Sequence, residues 1–359
     1  MSYLSDALNL SISKKYPSSL VHFVTNRCNA RCSFCFIDFD DPNTFKGELT
    51  IDEINKLSLT FGPSLNNLNL TGGEPFARKD FSDITDIYLK NTSVKSIFIT
   101  SNGSLPDRIK KFVNYLSPKY PDKEIIFSLS IDAYPEVHNK IRKIKGLFDK
   151  VLESYNFLKS YKKNVMANIA ITVTHENYEI ANELYNYLKT KHKIKTFTST
   201  LVRDEGIYKT PKDLRKKILS SYDNLTNLIS NDIKQNITDG YNKKKLIGRM
   251  LNKKNEVMNK SITKMYMNND YISPCHASSL FGVITADGWV HSCEILNNRI
   301  SNLRDKNYNF LEIWHSDENK KEKEKILNNK CRCTYECAWT FNILGNYRYY
   351  PSLMTSMFF

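Results

Sequence analysis

The residues with the clearest capacity for chemistry are Cys28, Cys32 and Cys35, spaced C-x3-C-x2-C in NRCNARCSFCF directly after the apolar run 20–24. Three thiolates this close can hold a metal centre from one side. Three is also one fewer than a closed structural zinc or cubane iron–sulfur site uses, so one metal vertex is left open to an outside ligand. On the triplet alone, a zinc knuckle and three unrelated buried thiols stand as alternatives. A second set follows late in the chain: Cys275 and Cys293 with seventeen residues between them, then Cys331-x-Cys333-x3-Cys337. Clustered thiols in a chain with no export signal read as metal ligands, not as a disulfide framework.

The elements that must position these groups alternate. Short β-branched and aromatic runs are followed by longer segments of helical period, the pattern of βα units around a parallel sheet. Strands are expected over 20–25, 68–71, 96–100, 125–131, 165–173 and 195–201. Helices are expected over 51–61 with Thr50 as N-cap, 81–90 after Asp80, 106–116 with Pro106 in the first turn, 148–161 and 178–191. In such a fold the active groups sit where the strands end. The second strand runs into Thr71-Gly72-Gly73-Glu74-Pro75, and the third into Thr100-Ser101-Asn102-Gly103. The fourth carries Ser128-Leu129-Ser130-Ile131-Asp132, and Arg203, Asp204 and Glu205 after the sixth are candidates to face a substrate.

From 204 to 270 the chain turns rich in Lys and Asn, with apolar residues at helical spacing and a basic flank. Beyond it, Val283-Ile284-Thr285, Ala286-Asp287-Gly288 and Trp289-Val290-His291 read as a hairpin. The hydrophobic fraction of 41% is that of an ordinary globular chain, and no apolar run has the length of a membrane span, so a cytoplasmic location is expected. The net charge of +14 is spread along the chain without interleaved aromatics. That favours a solvated surface over nucleic-acid binding and keeps an anionic substrate or acidic partner open.

The cysteine triplet, followed one βα unit later by Gly72-Gly73-Glu74-Pro75, closely resembles the radical S-adenosylmethionine (radical SAM) superfamily. The resemblance implies a partial (β/α)6 TIM-like barrel over 20–203, with Cys28, Cys32 and Cys35 binding a [4Fe-4S] cluster whose fourth iron is chelated by SAM. It also implies reductive cleavage of SAM to methionine and a 5′-deoxyadenosyl radical, which abstracts hydrogen from the substrate. Phe34 stands where the family has an aromatic near the adenine. Gly72, Gly73, Glu74 and Pro75 match the motif that seats the methionine end, where glycines permit close backbone approach and a carboxylate suits an ammonium. Ser101, Asn102, Ser128, Ser130 and Arg142 match positions that meet other parts of SAM.

The late cysteines, with Gly288 five residues before Cys293, resemble the auxiliary-cluster region of the twitch and SPASM types, here over 271–342. The expected outcome is one auxiliary [4Fe-4S] cluster on Cys275, Cys293 and two of Cys331, Cys333 and Cys337, with a structural zinc site as the alternative. The remaining expected divisions are an N-terminal extension over 1–19, a helical bridge over 204–270 and a C-terminal tail over 343–359. The implied function is oxidation of an alcohol on a small sugar- or aminocyclitol-like substrate, supplied with electrons by a flavodoxin or ferredoxin. Few residues precede Cys28 to hold a leader peptide. The rival enzyme reading is maturation of a ribosomal peptide by epimerisation or crosslinking. A reading of a different class is a metal-binding regulatory protein without turnover.

Overall fold

A computed structural model describes residues 9–161, 163–203, 208–296 and 298–358. In chain order the first half runs β1 (Ser19–Thr25), α1 (Ile51–Ser58), β2 (Asn67–Gly72), α2 (Phe81–Asn91), β3 (Ser96–Ser101), α3 (Pro106–Lys119) and β4 (Glu124–Ser130). It continues with α4 (Pro135–Arg142), α5 (Leu147–Ser160), β5 (Val165–Val173), α6 (Ala181–Lys191) and β6 (Phe197–Leu201). The second half holds α7 (Arg215–Lys234), α8 (Leu246–Asn268), β7 (Phe281–Ile284), β8 (Trp289–His291) and β9 (Arg299–Asn302). Then come α9 (Phe310–Trp314), α10 (Asp317–Asn328), α11 (Glu336–Leu344) and α12 (Tyr350–Phe358).

The sheet order is β6-β5-β4-β3-β2-β1-β7-β8-β9, with β1 to β6 parallel, as the alternating pattern requires of a partial TIM-like barrel. Each parallel strand has two unlike faces. Leu68, Leu70, Ile97, Ile99, Ile125, Phe127, Leu129 and Ile171 share the face packed into the main apolar core, where they join residues from α1, α2, α3, α5 and α6. Register puts the opposite set, including Asn69, Ser128 and Asn168, on the inner face. That inner face is polar, with Ser128 Oγ donating to Asn168 Oδ1 at 3.1 Å and Thr198 Oγ1 donating to the same oxygen at 3.0 Å.

The late hairpin does not stand apart from the barrel. β7 pairs in parallel with β1, Val21 opposite Val283, and β8 and β9 extend the sheet antiparallel. Val21, Phe23, Val283, Ala286 and Phe36 form one small apolar cluster, so the strand leading into the first cysteines is packed directly against the hairpin of the second set.

Local signals hold where the chemistry is specific. Thr50 caps α1 in a capping box, its hydroxyl accepting from Glu53 N while Glu53 accepts from Thr50 N at 2.7 Å. Asp80 makes no side-chain cap for α2, because its carboxylate is taken by Arg78 at 2.8 and 3.1 Å. Helix α4 was not expected; its buried face is His138, Ile141 and Arg142, too polar to show an apolar period. The stretch expected as a tail contains α12, which packs on α8 with Leu353 buried.

Candidate active site

Strand β1 is buried along its whole length and delivers the chain into an irregular loop carrying Cys28, Cys32 and Cys35. The loop is closed at its base by Glu48, which accepts from Thr25 Oγ1 at 2.6 Å and from Asn26 N at 3.3 Å. Arg31 N donates to the Arg142 carbonyl at 3.2 Å, fastening the loop to the end of α4. Burial pushes all three thiols up, Cys28 to about 12, and binding a metal cation would release their protons.

Gly72 and Gly73 meet this loop edge to edge. Gly73 N donates to Thr25 O at 2.8 Å and Glu74 N to Arg27 O at 2.9 Å. A Cβ on Gly72 would stand 1.9 Å from Thr25 O, and one on Gly73 2.3 Å from Arg27 O. The close approach that demands glycine here is therefore to the backbone of the cysteine loop itself.

The Glu74 carboxylate is turned inward. It accepts from Ser101 Oγ at 2.9 Å, Asn102 N at 2.7 Å and Phe76 N at 3.1 Å, and burial pushes it up to about 7. Both carboxylate oxygens thus accept from protein donors, Oε1 from Ser101 and Phe76 and Oε2 from Asn102. Ser101 is spent likewise, donating to Glu74 and accepting from Gly103 N at 3.0 Å. Asn102 leans on the cysteine loop: Nδ2 donates to Asn29 Oδ1 at 2.9 Å and lies 3.9 Å from Cys28 Sγ.

Arg142 is brought to the loop by α4 and fixed there by the fully buried Asp132 at 2.7 Å, which also accepts from Thr172 N at 3.0 Å. Its guanidinium lies 5.7 Å over the Phe34 ring, and its charge acts on Cys32. His138 holds the Asp132 backbone, accepting from Asp132 N at 3.2 Å, and is kept neutral by burial. Ser130 is buried on the inner face of β4. Asp132 is a site residue to which sequence reasoning gave no role. The signal was an acid directly after a strand, ten residues before an arginine.

The second set converges as well. Cys275 and Cys293 are buried with Ala277, Phe281, Ile326, Tyr335 and Ala338, and Cys331, Cys333 and Cys337 pack against them. The Cys275 thiol hydrogen-bonds Cys331 and draws it down to about 7. Cys337 is flanked by Glu294, Arg203 and Tyr335. Among the described residues no three His, Cys, Asp or Glu side chains converge as closely as one metal ion requires. Each iron of a cubane takes one thiolate, so the donor sets fit such clusters: three thiols on the first loop, and five gathered in one apolar cluster in the second set.

A cavity of about 410 Å³ lies between the loop that follows Cys35 and the hairpin region around Cys293. Phe36, Ile37 and Asp38 of the cysteine loop line one side; Trp289, His291 and Glu294 of the hairpin region line the other, and Arg203 reaches in from the end of β6. Arg203 bonds Glu294 and stacks 4.7 Å over the Tyr335 ring. Asp204 and Glu205 lie outside the described residues.

Residues 23–188 match the model of the radical SAM superfamily. The fold is similar to that of native anSMEcpe with bound AdoMet and Cp18Cys peptide, at 18% identity over 95% of this chain and 96% of that one, with a TM-score of 0.61. It is also similar to Streptococcus suis SuiB bound to precursor peptide SuiA, at 18% identity over 84% of this chain and 65% of that one, with a TM-score of 0.57. No helix among the described residues is long and apolar enough to cross a membrane. The match to the radical SAM superfamily model thus covers residues 23–188, and the likeness of fold to native anSMEcpe extends over 95% of the chain.

Proposed function

We propose that this radical SAM enzyme oxidises a polar side chain of a peptide or protein substrate by two electrons, with the reacting group held in the cavity between the cysteine loop and the hairpin region. The observation that carries the reading is that cavity's walls, one from the cysteine loop and the other from the auxiliary region. When bound, the [4Fe-4S] cluster with SAM on Cys28, Cys32 and Cys35 supplies hydrogen-abstracting radical chemistry, and the auxiliary cluster supplies an acceptor for one electron.

The protein's part is orientation, water exclusion and proton handling. Phe23, Phe36, Ile37, Val283 and Trp289 give apolar walls against which a substrate methylene can be held. Phe34 and Arg142, with Asp132 behind, offer a flat face and a fixed cation beside the first cysteines. Oxidising an alcohol or thiol carbon removes one hydrogen atom, then one electron and one proton. Glu294, next in the chain to Cys293 and lining the cavity, is placed to take that proton on its carboxylate, with Arg203 fixing its orientation.

Support for a peptide is analogy of fold: both similar structures were solved with peptides. A small alcohol such as an aminocyclitol is the second reading, favoured by the cavity's volume, which is that of a single small-ligand site. The test incubates the reconstituted enzyme anaerobically with SAM and reductant, adding in separate arms a blocked Ser- or Cys-containing peptide and an aminocyclitol. Peptide-stimulated 5′-deoxyadenosine, with loss of two hydrogens from the peptide, is expected. Stimulation by the aminocyclitol alone would transfer the assignment to the second reading.

A further inference from the structure

Lys254 lies on α8, in the bridge between barrel and auxiliary region that nothing above assigns a role. It is only 4% exposed. Its Nζ donates to the Thr340 hydroxyl of α11 at 3.2 Å, and among the described residues no carboxylate comes within ion-pair distance. The other cations of the site each have an acid: Asp132 for the buried Arg142 and Glu294 for the half-buried Arg203. Among the described residues, the ionisable group that acts on Lys254 is Cys337, a member of the auxiliary set.

Burying an ammonium without a counter-ion is unfavourable, and a neutral hydroxyl offsets little of that. Four thiolates on a [4Fe-4S] core carry net negative charge, which grows on reduction, and nearby charge is one of the factors that set such a cluster's potential. The missing partner of Lys254 is thus of the kind that the neighbouring thiols would hold.

We propose that Lys254 is a positioning residue for the auxiliary centre, holding positive charge against its thiolates so that the reduced cluster is favoured and an electron leaving the substrate is drawn into it. This rests on the reading of Cys275, Cys293 and their neighbours as a cluster site. The lysine-rich bridge thereby carries one cation inward, while Lys244, Lys245, Lys260 and Lys264 stay exposed.

The test is a potentiometric titration of the reconstituted holoenzyme followed by electron paramagnetic resonance, with SAM added to mark the first cluster's signal. Lys254→Met should move the auxiliary midpoint to more negative potential at unchanged iron content, and Lys254→Arg should leave it near wild type. An unmoved or more positive midpoint in iron-loaded Lys254→Met overturns the proposal. If that variant fails to hold auxiliary iron, the melting temperature of the iron-free protein decides. Removing an uncompensated charge should raise it, whereas a lysine present only to tie α8 to Thr340 would, when replaced, lower it. A wild-type chain with roughly four irons in place of roughly eight would instead sink the auxiliary cluster itself.

Discussion

Gly73→Ala is the sharpest test of how the cysteine loop is held. The added Cβ would stand 2.3 Å from Arg27 O, 2.6 Å from its carbonyl carbon and 2.7 Å from Asn26 O. All three are backbone atoms, so no side chain can swing aside. Ordinary carbon contacts begin at about 3.5 Å, which requires the residue before Cys28 to retreat by about 1 Å. The retreat strains the hydrogen bonds Gly73 N to Thr25 O and Glu74 N to Arg27 O, now 2.8 and 2.9 Å. Overpacking of this kind costs about 1–3 kcal/mol in stability. A displacement of about 1 Å in a reactive geometry costs about 100-fold in rate. The assay is 5′-deoxyadenosine release per iron-loaded chain, beside a thermal melt. Gly146→Ala is the control, since Gly146 has φ +66° but nothing within 4 Å of the new atom. It should lose only about 1–2 kcal/mol of stability and keep its cleavage rate. Wild-type cleavage by Gly73→Ala would refute the claim that the glycine pair sets the loop's position.

Asp132→Asn should cost about 3–5 kcal/mol by leaving the Arg142 guanidinium buried without its anion, and the Asp132→Asn, Arg142→Met double variant should melt higher than the single one. Glu53, held to about 2 by Arg304, Thr50 N and the Tyr308 hydroxyl, contributes stability that is complete above its ordinary value of 4.5 and is lost as pH falls through the folded value. The difference in melting temperature between wild type and Glu53→Gln should therefore shrink on acidification; a constant difference would contradict the ion pair's role. Cys275→Ala and Cys293→Ala should each lower iron from roughly eight toward roughly four per chain while sparing substrate-independent SAM cleavage. Loss of that cleavage in a folded variant would mean the two cysteine groups are not separate centres.

The barrel was legible because its strands obey simple rules: apolar residues on one face, and turn or glycine residues at the ends that carry function. The capping box at Thr50 and Glu53 could be read for the same reason, since it is local. What escaped depends on contacts distant in sequence. Glu74 and Ser101 look outward-facing in a motif, and only the meeting of the β2 and β3 ends shows that they bind each other. The pairing of β7 with β1 joins segments from opposite ends of the chain and leaves no mark in a short hairpin's composition. Helix α4 was hidden because its inward face is polar, and Lys254 because one lysine among many gives no sign of being buried.

On the reading proposed for the first loop, Cys28, Cys32 and Cys35 keep one metal vertex open for SAM. Anaerobic incubation of the reconstituted chain with SAM and a strong reductant, analysed for 5′-deoxyadenosine and methionine, tests it most directly. Both products are expected in equal amounts, and neither from Cys28→Ala, Cys32→Ala or Cys35→Ala. Absence of 5′-deoxyadenosine from a wild-type chain with the first cluster intact would contradict it.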